Sequence, residues 1–231
     1  MKKIGLIGGL GPEATLLYYK GILNSFSASF SESGYPEMII ESLDLKGFTD
    51  YAKAGEWDAI TNQLISTCGR LQAAGADFGA ICSNTPHRVF NRLQKNTSLP
   101  LISIVETAAE AAADRGLKRL GLLGTGFTMA GTFYQEVFGK HHIDIVMPGT
   151  EEKNYIHEKI FTEIEFGIIK EETKQRFLDI IRRMTAEQAI EGILLACTEL
   201  PLIVTPSDLR IAYLDTTALH IRAIVRETRT G

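Results

Sequence analysis

The chain has 231 residues, 45% hydrophobic and 23% charged, the balance of a water-soluble globular protein long enough for one large domain or two small ones. A net charge of −4 and a pI near 5.8 give no reason to expect nucleic acid or an anionic membrane as partner, which leaves small molecules as the default ligand class. No apolar stretch approaches the roughly 20 residues of a membrane span, and the N-terminus lacks a signal peptide's apolar region, so a cytoplasmic location is expected.

Lys3-Ile4-Gly5-Leu6-Ile7-Gly8 reads as a short buried strand that Gly9-Leu10-Gly11 turns into a helix, with Pro12 in the first turn. Backbone N–H groups at such a helix start suit a phosphate or carboxylate. Gly9-x-Gly11-x-x-Ala14 also meets a loose dinucleotide fingerprint, with Glu41 or Asp44 as the ribose acid. Both acids come later than that motif's usual spacing, and solvated loop carboxylates are the simpler reading. Met38 to Asp44 is the second strand, and Lys46-Gly47-Phe48 connects it to a helical pattern over about residues 57–74.

A third strand follows Gly75 and runs into Cys82-Ser83-Asn84-Thr85 before a helix led by Pro86. Serine, asparagine and threonine at a strand's carboxyl end can converge on a pocket, although Asn84 and Thr85 also suit a helix cap. His87, in the first helical turn, is expected to be packed or solvated rather than catalytic.

From Pro100 the pattern restarts: Leu101 to Ile104 leads into an alanine-rich helix, and Leu120-Gly121-Leu122-Leu123-Gly124 repeats the opening strand. Gly121, Leu122 and Gly124 match Gly5, Leu6 and Gly8 at a constant offset, so an internal duplication is expected, with Thr125 to Met129 in the place of the first glycine-rich turn. Ile143 to Val146 is a short strand, and helical patterns cover Glu151 to Phe166 and Glu171 to Glu187. The apolar run Gly192 to Ala196 then ends on Cys197-Thr198-Glu199, and Ile211 to Leu214 precedes a closing helix capped by Asp215-Thr216-Thr217. Nearly the same offset lays Ser83 on Cys197 and Asn84 on Thr198.

The expected fold is α/β, with two pseudo-symmetric lobes, residues 1–98 plus 215–231 and residues 99–214. Each is a small, mainly parallel sheet flanked by helices, with the active site in the cleft between them. Cysteine is often a buried filler, yet at a strand end Cys197 is the first candidate for catalysis. Matching residues on two lobes suit removal of a proton from one face of a carbon and delivery to the other. The glycine-rich turns with Asn84, Thr125, Thr128 and Thr198 would hold an α-carboxylate and amine. No C-x-x-C pair occurs among Cys68, Cys82 and Cys197, and the five histidines show no metal-ligand spacing, so neither disulfides nor a metal are expected.

These residues resemble the cofactor-independent aspartate/glutamate racemase superfamily, and within it the aspartate racemase and broad-specificity amino-acid racemase branch. The resemblance runs through Gly5 to Thr15 with Tyr18-Tyr19, Asn84-Thr85-Pro86-His87, Leu123-Gly124-Thr125 with Thr128, Cys197-Thr198-Glu199, and Asp215-Thr216 with His220. It implies an isomerase that needs no cofactor, usually a homodimer, moving a proton between two cysteines. It also implies a substrate site that includes Gly9, Leu10, Asn84, Thr85, Thr125, Thr128, Thr198 and Glu199. Aspartate or glutamate is the substrate it suggests.

Two departures stand out. The family's first catalytic cysteine directly precedes the Asn-Thr pair, where this chain has Ser83. A one-residue shift turns a strand side chain to the other face, so Cys82 is expected in the core. Cys197 would then be the main base and acid, with Ser83 as a weaker partner. The lysine that related aspartate racemases place before the Gly167 position corresponds to Glu165, and Lys46 is the residue expected to compensate. Rival readings are a single-cysteine decarboxylase or isomerase of the same superfamily and a non-catalytic amino-acid-binding protein.

Overall fold

The computed structural model describes residues 1–230, with residues 29, 32 and 33 described in backbone alone. It divides into two compact units, residues 1–104 with 217–230, and residues 105–216. Among the described residues no helix is long and apolar enough to cross a membrane.

The first unit is built on a parallel sheet of β1 (Ile4–Gly8), β2 (Met38–Ser42), β3 (Phe78–Ile81) and β4 (Leu101–Ile102), in the order β2-β1-β3-β4. Every residue of β1 and β3 is buried, as expected of inner strands covered on both faces, while the edge strand β2 is half exposed. Helix α1 (Pro12–Phe26) presents Ala14, Tyr18, Ile22 and Phe26 to the core, a stripe spaced by four residues that keeps to one helix face. Ile4, Leu6, Tyr18, Ile22, Phe78 and Cys82 share one cluster, and truncating one of its large aliphatic side chains to alanine would cost about 2–5 kcal/mol.

Two short helices flank β2 in ways the apolar pattern does not announce. α2 (Phe30–Ser33) precedes β2, and α3 (Leu45–Ala54) fills the stretch read as a connection. The Asp44 side chain starts α3 by accepting from the amides of Lys46 and Gly47. α4 (Trp57–Ala73) then buries Ile60, Leu64, Cys68 and Leu71. After β3 the chain makes a 3-10 turn over Thr85–Val89 and enters α5 (Phe90–Lys95).

The second unit repeats the plan. α6 (Ile104–Asp114) leads to the parallel sheet of β5 (Arg119–Gly124), β6 (Asp144–Val146), β7 (Gly192–Ala196) and β8 (Ala212–Asp215), ordered β6-β5-β7-β8. Its helices are α7 (Gly126–Met129), α8 (Phe133–Gly139), α9 (Thr150–Thr162) and α10 (Glu171–Gln188), the last burying Phe177, Leu178, Ile181 and Met184. The closing α11 (Thr216–Thr228) belongs almost wholly to the first unit, where Ile224 and Val225 join the core around Ile4.

The expected boundary at residues 98/99 is displaced. Leu101 and Ile102 pair with Gly79 and Ala80 of β3, so this strand completes the first sheet instead of opening the second half. The division therefore falls after Ile104 and after Thr216.

Candidate active site

In both sheets the first strand lies inside the second, so strand order reverses between β1 and β3 and between β5 and β7. Loops leaving the carboxyl ends at such a reversal diverge and leave a crevice there. All the candidate residues except Lys46 and Glu165 lie on these loops or in the first turn of the helix that follows.

Hydrogen-bond register sets the correspondence between the halves. Gly5 pairs with Gly79, and its repeat equivalent Gly121 pairs with Ile193. Four residues beyond Gly79 stands Ser83, and four beyond Ile193 stands Cys197. Both are half-buried, each preceded by a fully buried residue, Cys82 or Ala196, and followed by a buried polar one, Asn84 or Thr198. Cys82 packs in the core cluster, and burial pushes its thiol far above the usual range.

On the first unit, Gly9 holds φ +80° and its amide donates to Thr15 Oγ1 at 2.9 Å. A Cβ there would lie 2.2 Å from the Leu43 carbonyl oxygen, so both the backbone angle and the space require glycine. That amide is directed into the turn, not outward as the helix-start reading expected. Thr15 is the residue that organises this loop; its place one helical turn past Gly11 was the available sign. Leu10, Asn84 and Thr85 are buried.

Both acids of the dinucleotide reading are engaged elsewhere. Glu41 accepts from Arg70 Nε at 2.9 Å, and Asp44 caps α3. Lys46 is exposed on α3 with its Nζ 2.5 Å from Asp50 Oδ2. The Asp50 carboxylate holds the Lys46 ammonium above its usual range.

On the second unit, Thr125 caps α7 by accepting from the Thr128 amide, and its hydroxyl lies 3.2 Å from the Thr128 hydroxyl. The Gly126 amide donates to His157 Nδ1 at 3.0 Å, and a Cβ on Gly126 would meet that ring at 3.1 Å. His157 on α9 thus shapes this loop from a distance in sequence that leaves no local signal. Thr198 and Glu199 are buried.

Cys197 donates its thiol to Glu199 Oε2 at 2.9 Å. Burial, then the Glu199 charge and this hydrogen bond, then the Glu165 charge, raise the thiol well above its usual range. Burial and the Glu199 charge likewise raise the Glu165 carboxyl. Cys197, Glu199 and Glu165 therefore form one electrostatically coupled group, in which removing negative charge or bringing in positive charge favours the thiolate.

The profile of Asp/Glu/hydantoin racemases matches residues 7–224. The broad-specificity amino-acid racemase RacX of Bacillus subtilis (strain 168) is 27% identical over 137 residues, covering 58% of this chain and 59% of RacX. An aspartate racemase homologue of known structure from Pyrococcus horikoshii OT3 is 36% identical, with 99% of both chains covered and a TM-score of 0.86. A candidate Asp/Glu racemase of known structure from Yersinia pestis is 30% identical over 99% of both chains, with a TM-score of 0.91. With two parallel sheets carrying matched strand-end residues, and a profile match over nearly its whole length, this chain belongs to the Asp/Glu/hydantoin racemase family.

Proposed function

We propose that this protein is a cofactor-independent amino-acid racemase working by 1,1-proton transfer, with Cys197 as main acid and base and Ser83 in place of a second cysteine. The observation that carries this reading is the register equivalence of Ser83 and Cys197, polar groups at the same strand-end place in the two halves of a duplicated chain. The α-C–H bond breaks as its proton passes to the Cys197 thiolate, and the electron pair remains on the α-carbon. Protonation from the Ser83 hydroxyl completes inversion; water then reprotonates the serine, and the proton held on Glu199 returns to solvent to neutralise the hydroxide, leaving Cys197 as the thiol. The resting thiol reaches the thiolate by passing its proton to Glu199, which the substrate's ammonium makes less unfavourable.

Gly9, Leu10, Asn84, Thr85, Thr125, Thr128, Thr198 and Glu199 form the substrate-binding set in this reading. Aspartate or glutamate is the lead substrate, in keeping with the family, and Lys46 would need to leave Asp50 to pair with a distal carboxylate. A second reading, a neutral or basic side chain, is favoured by one observation: Glu165 and Glu199 place two carboxyl groups in the surroundings of Cys197. The protein acts in the cytoplasm as a homodimer in this proposal.

Incubation with each enantiomer of aspartate, glutamate, serine, lysine and arginine in deuterium oxide tests catalysis and substrate together. α-Deuteration with inversion is expected for at least one pair, and Cys197→Ala is expected to abolish it. Binding without exchange across the panel would replace the racemase with the amino-acid-binding reading, and loss of the α-carboxylate as carbon dioxide would replace it with the decarboxylase.

A further inference from the structure

Two buried histidines of the first unit take no part in the proton transfer, and one of them is tied to the backbone of Ser83. His87 Nδ1 lies 2.9 Å from the Ser83 carbonyl oxygen, and the Ile104 amide donates to His87 Nε2 at 3.2 Å. A carbonyl accepts and an amide donates, so these partners fix one tautomer: the proton is on Nδ1 and Nε2 carries the lone pair. The ring is stacked on Phe90 at 5.1 Å and 10°, and meets the edge of His220 at 6.2 Å. His220 is itself held, accepting from the Tyr18 hydroxyl at 2.7 Å and donating to the Ile102 carbonyl at 2.9 Å. Burial favours the neutral form of both rings.

This arrangement clamps the strand-end carbonyl of Ser83 to the amide where α6 begins. β3 ends at Ile81, the Cys82 amide donates to the Ile7 carbonyl of β1, and the His87 contact takes hold of the next residue along, Ser83. A hydroxyl that must meet a developing carbanion tolerates little error in backbone direction.

Resting on the reading of Ser83 as the second acid, we propose that His87 is a positioning residue, whose Nδ1–H fixes the Ser83 backbone and thereby aims the Ser83 hydroxyl. His87 touches no reacting atom in this assignment. It acts only on the step that Ser83 serves, and leaves proton exchange at Cys197 alone.

The two ring nitrogens can be tested separately. Asparagine places an amide near Nδ1 and can still donate to the Ser83 carbonyl, whereas glutamine places its amide near Nε2 and keeps only the acceptor for Ile104. His87→Gln is expected to lower the rate of inversion at least tenfold while retentive α-deuteration by Cys197 stays within twofold. His87→Asn is expected to keep inversion within threefold of the original protein. Parallel loss of inversion and retentive exchange in both variants would show a merely structural role and overturn the proposal, as would unchanged inversion in His87→Gln. Absence of any exchange in the unaltered protein would instead sink the racemase reading. Should neither variant fold, nitrogen-15 NMR of the unaltered protein decides: a His87 proton on Nδ1 across pH 5–8 supports the clamp, and one on Nε2 overturns it.

Discussion

At the residue scale the chemistry centres on Cys197 and the carboxylate it faces. A thiol donating to Glu199 in a half-buried setting resists ionisation, so its reactivity in the free protein should appear only at high pH. Replacing Glu199 by glutamine removes a charge but keeps a side chain of the same size. The pH at which iodoacetamide modifies Cys197, followed by mass spectrometry, should therefore move down by about one unit or more; an unchanged profile would mean that burial alone sets the thiol. Cys68 and Cys82 are buried and should stay silent in this experiment, Cys68 being pushed up to about 11 by burial. Serine is a weak acid beside a thiol, so Ser83→Cys should raise kcat and bring the values for the two enantiomers closer together. A fall in kcat would show that the hydroxyl is specifically required.

At the scale of elements, the turn from β1 into α1 depends on a backbone conformation that a side chain would block. Gly9 combines a left-handed φ with a Leu43 oxygen where its Cβ would stand, and Thr15 returns a hydroxyl to its amide. Gly9→Ala should lower stability by about 2 kcal/mol or more and lower kcat/KM at the same time, measured by urea unfolding and by the exchange assay. Thr15→Val keeps the volume but strands the Gly9 amide, and a smaller loss of stability, about 1–2 kcal/mol, is expected. The corresponding turn after β5 uses a different device, a Thr125 cap with His157 beneath Gly126. The two halves thus share topology without sharing the contacts that shape their loops.

At the scale of the whole molecule, buried neutral histidines couple stability to pH. His87 is lowered to about 3 and His220 to about 4, in each case chiefly by burial. Their unfolded values lie near 6.5, so as pH falls below 6.5 the unfolded chain takes up protons that the folded chain refuses. Stability is then fully present above pH 6.5 and declines below it, by up to about 1.4 kcal/mol per pH unit for each histidine. Glu163 and Asp208, both lowered to about 2 by hydrogen bonds from neighbouring groups, add a further loss that begins only below their unfolded values of 4.5 and 3.8. Urea midpoints at pH 7.5, 6.0 and 5.0 should fall progressively, and a flat response between 7.5 and 5.0 would contradict the neutral, buried state of both rings.

The α/β class, the duplication, the core placement of Cys82 and the equivalent strand-end positions of Ser83 and Cys197 in the two halves were all readable from residues, because a buried parallel strand is a local apolar run and its repeat carries the same glycines. Local pattern also placed most helices. It missed the short α2, α7 and α8 and also α3, whose start rests on the Asp44 cap, and put Leu101 and Ile102 in the second half, because two residues cannot announce which sheet edge they will join. The sequence alone placed Thr15 and His87 within its motifs, named Glu199 as a substrate-binding candidate, and left His157 unmarked. Only the tertiary structure decided what they do: hydrogen bonds between Gly9 and Thr15, Gly126 and His157, Ile104 and His87, and Cys197 and Glu199 are set by backbone directions at the strand ends. Those directions follow from the packing of the sheets and helices as a whole, which the apolar pattern of any one segment does not contain.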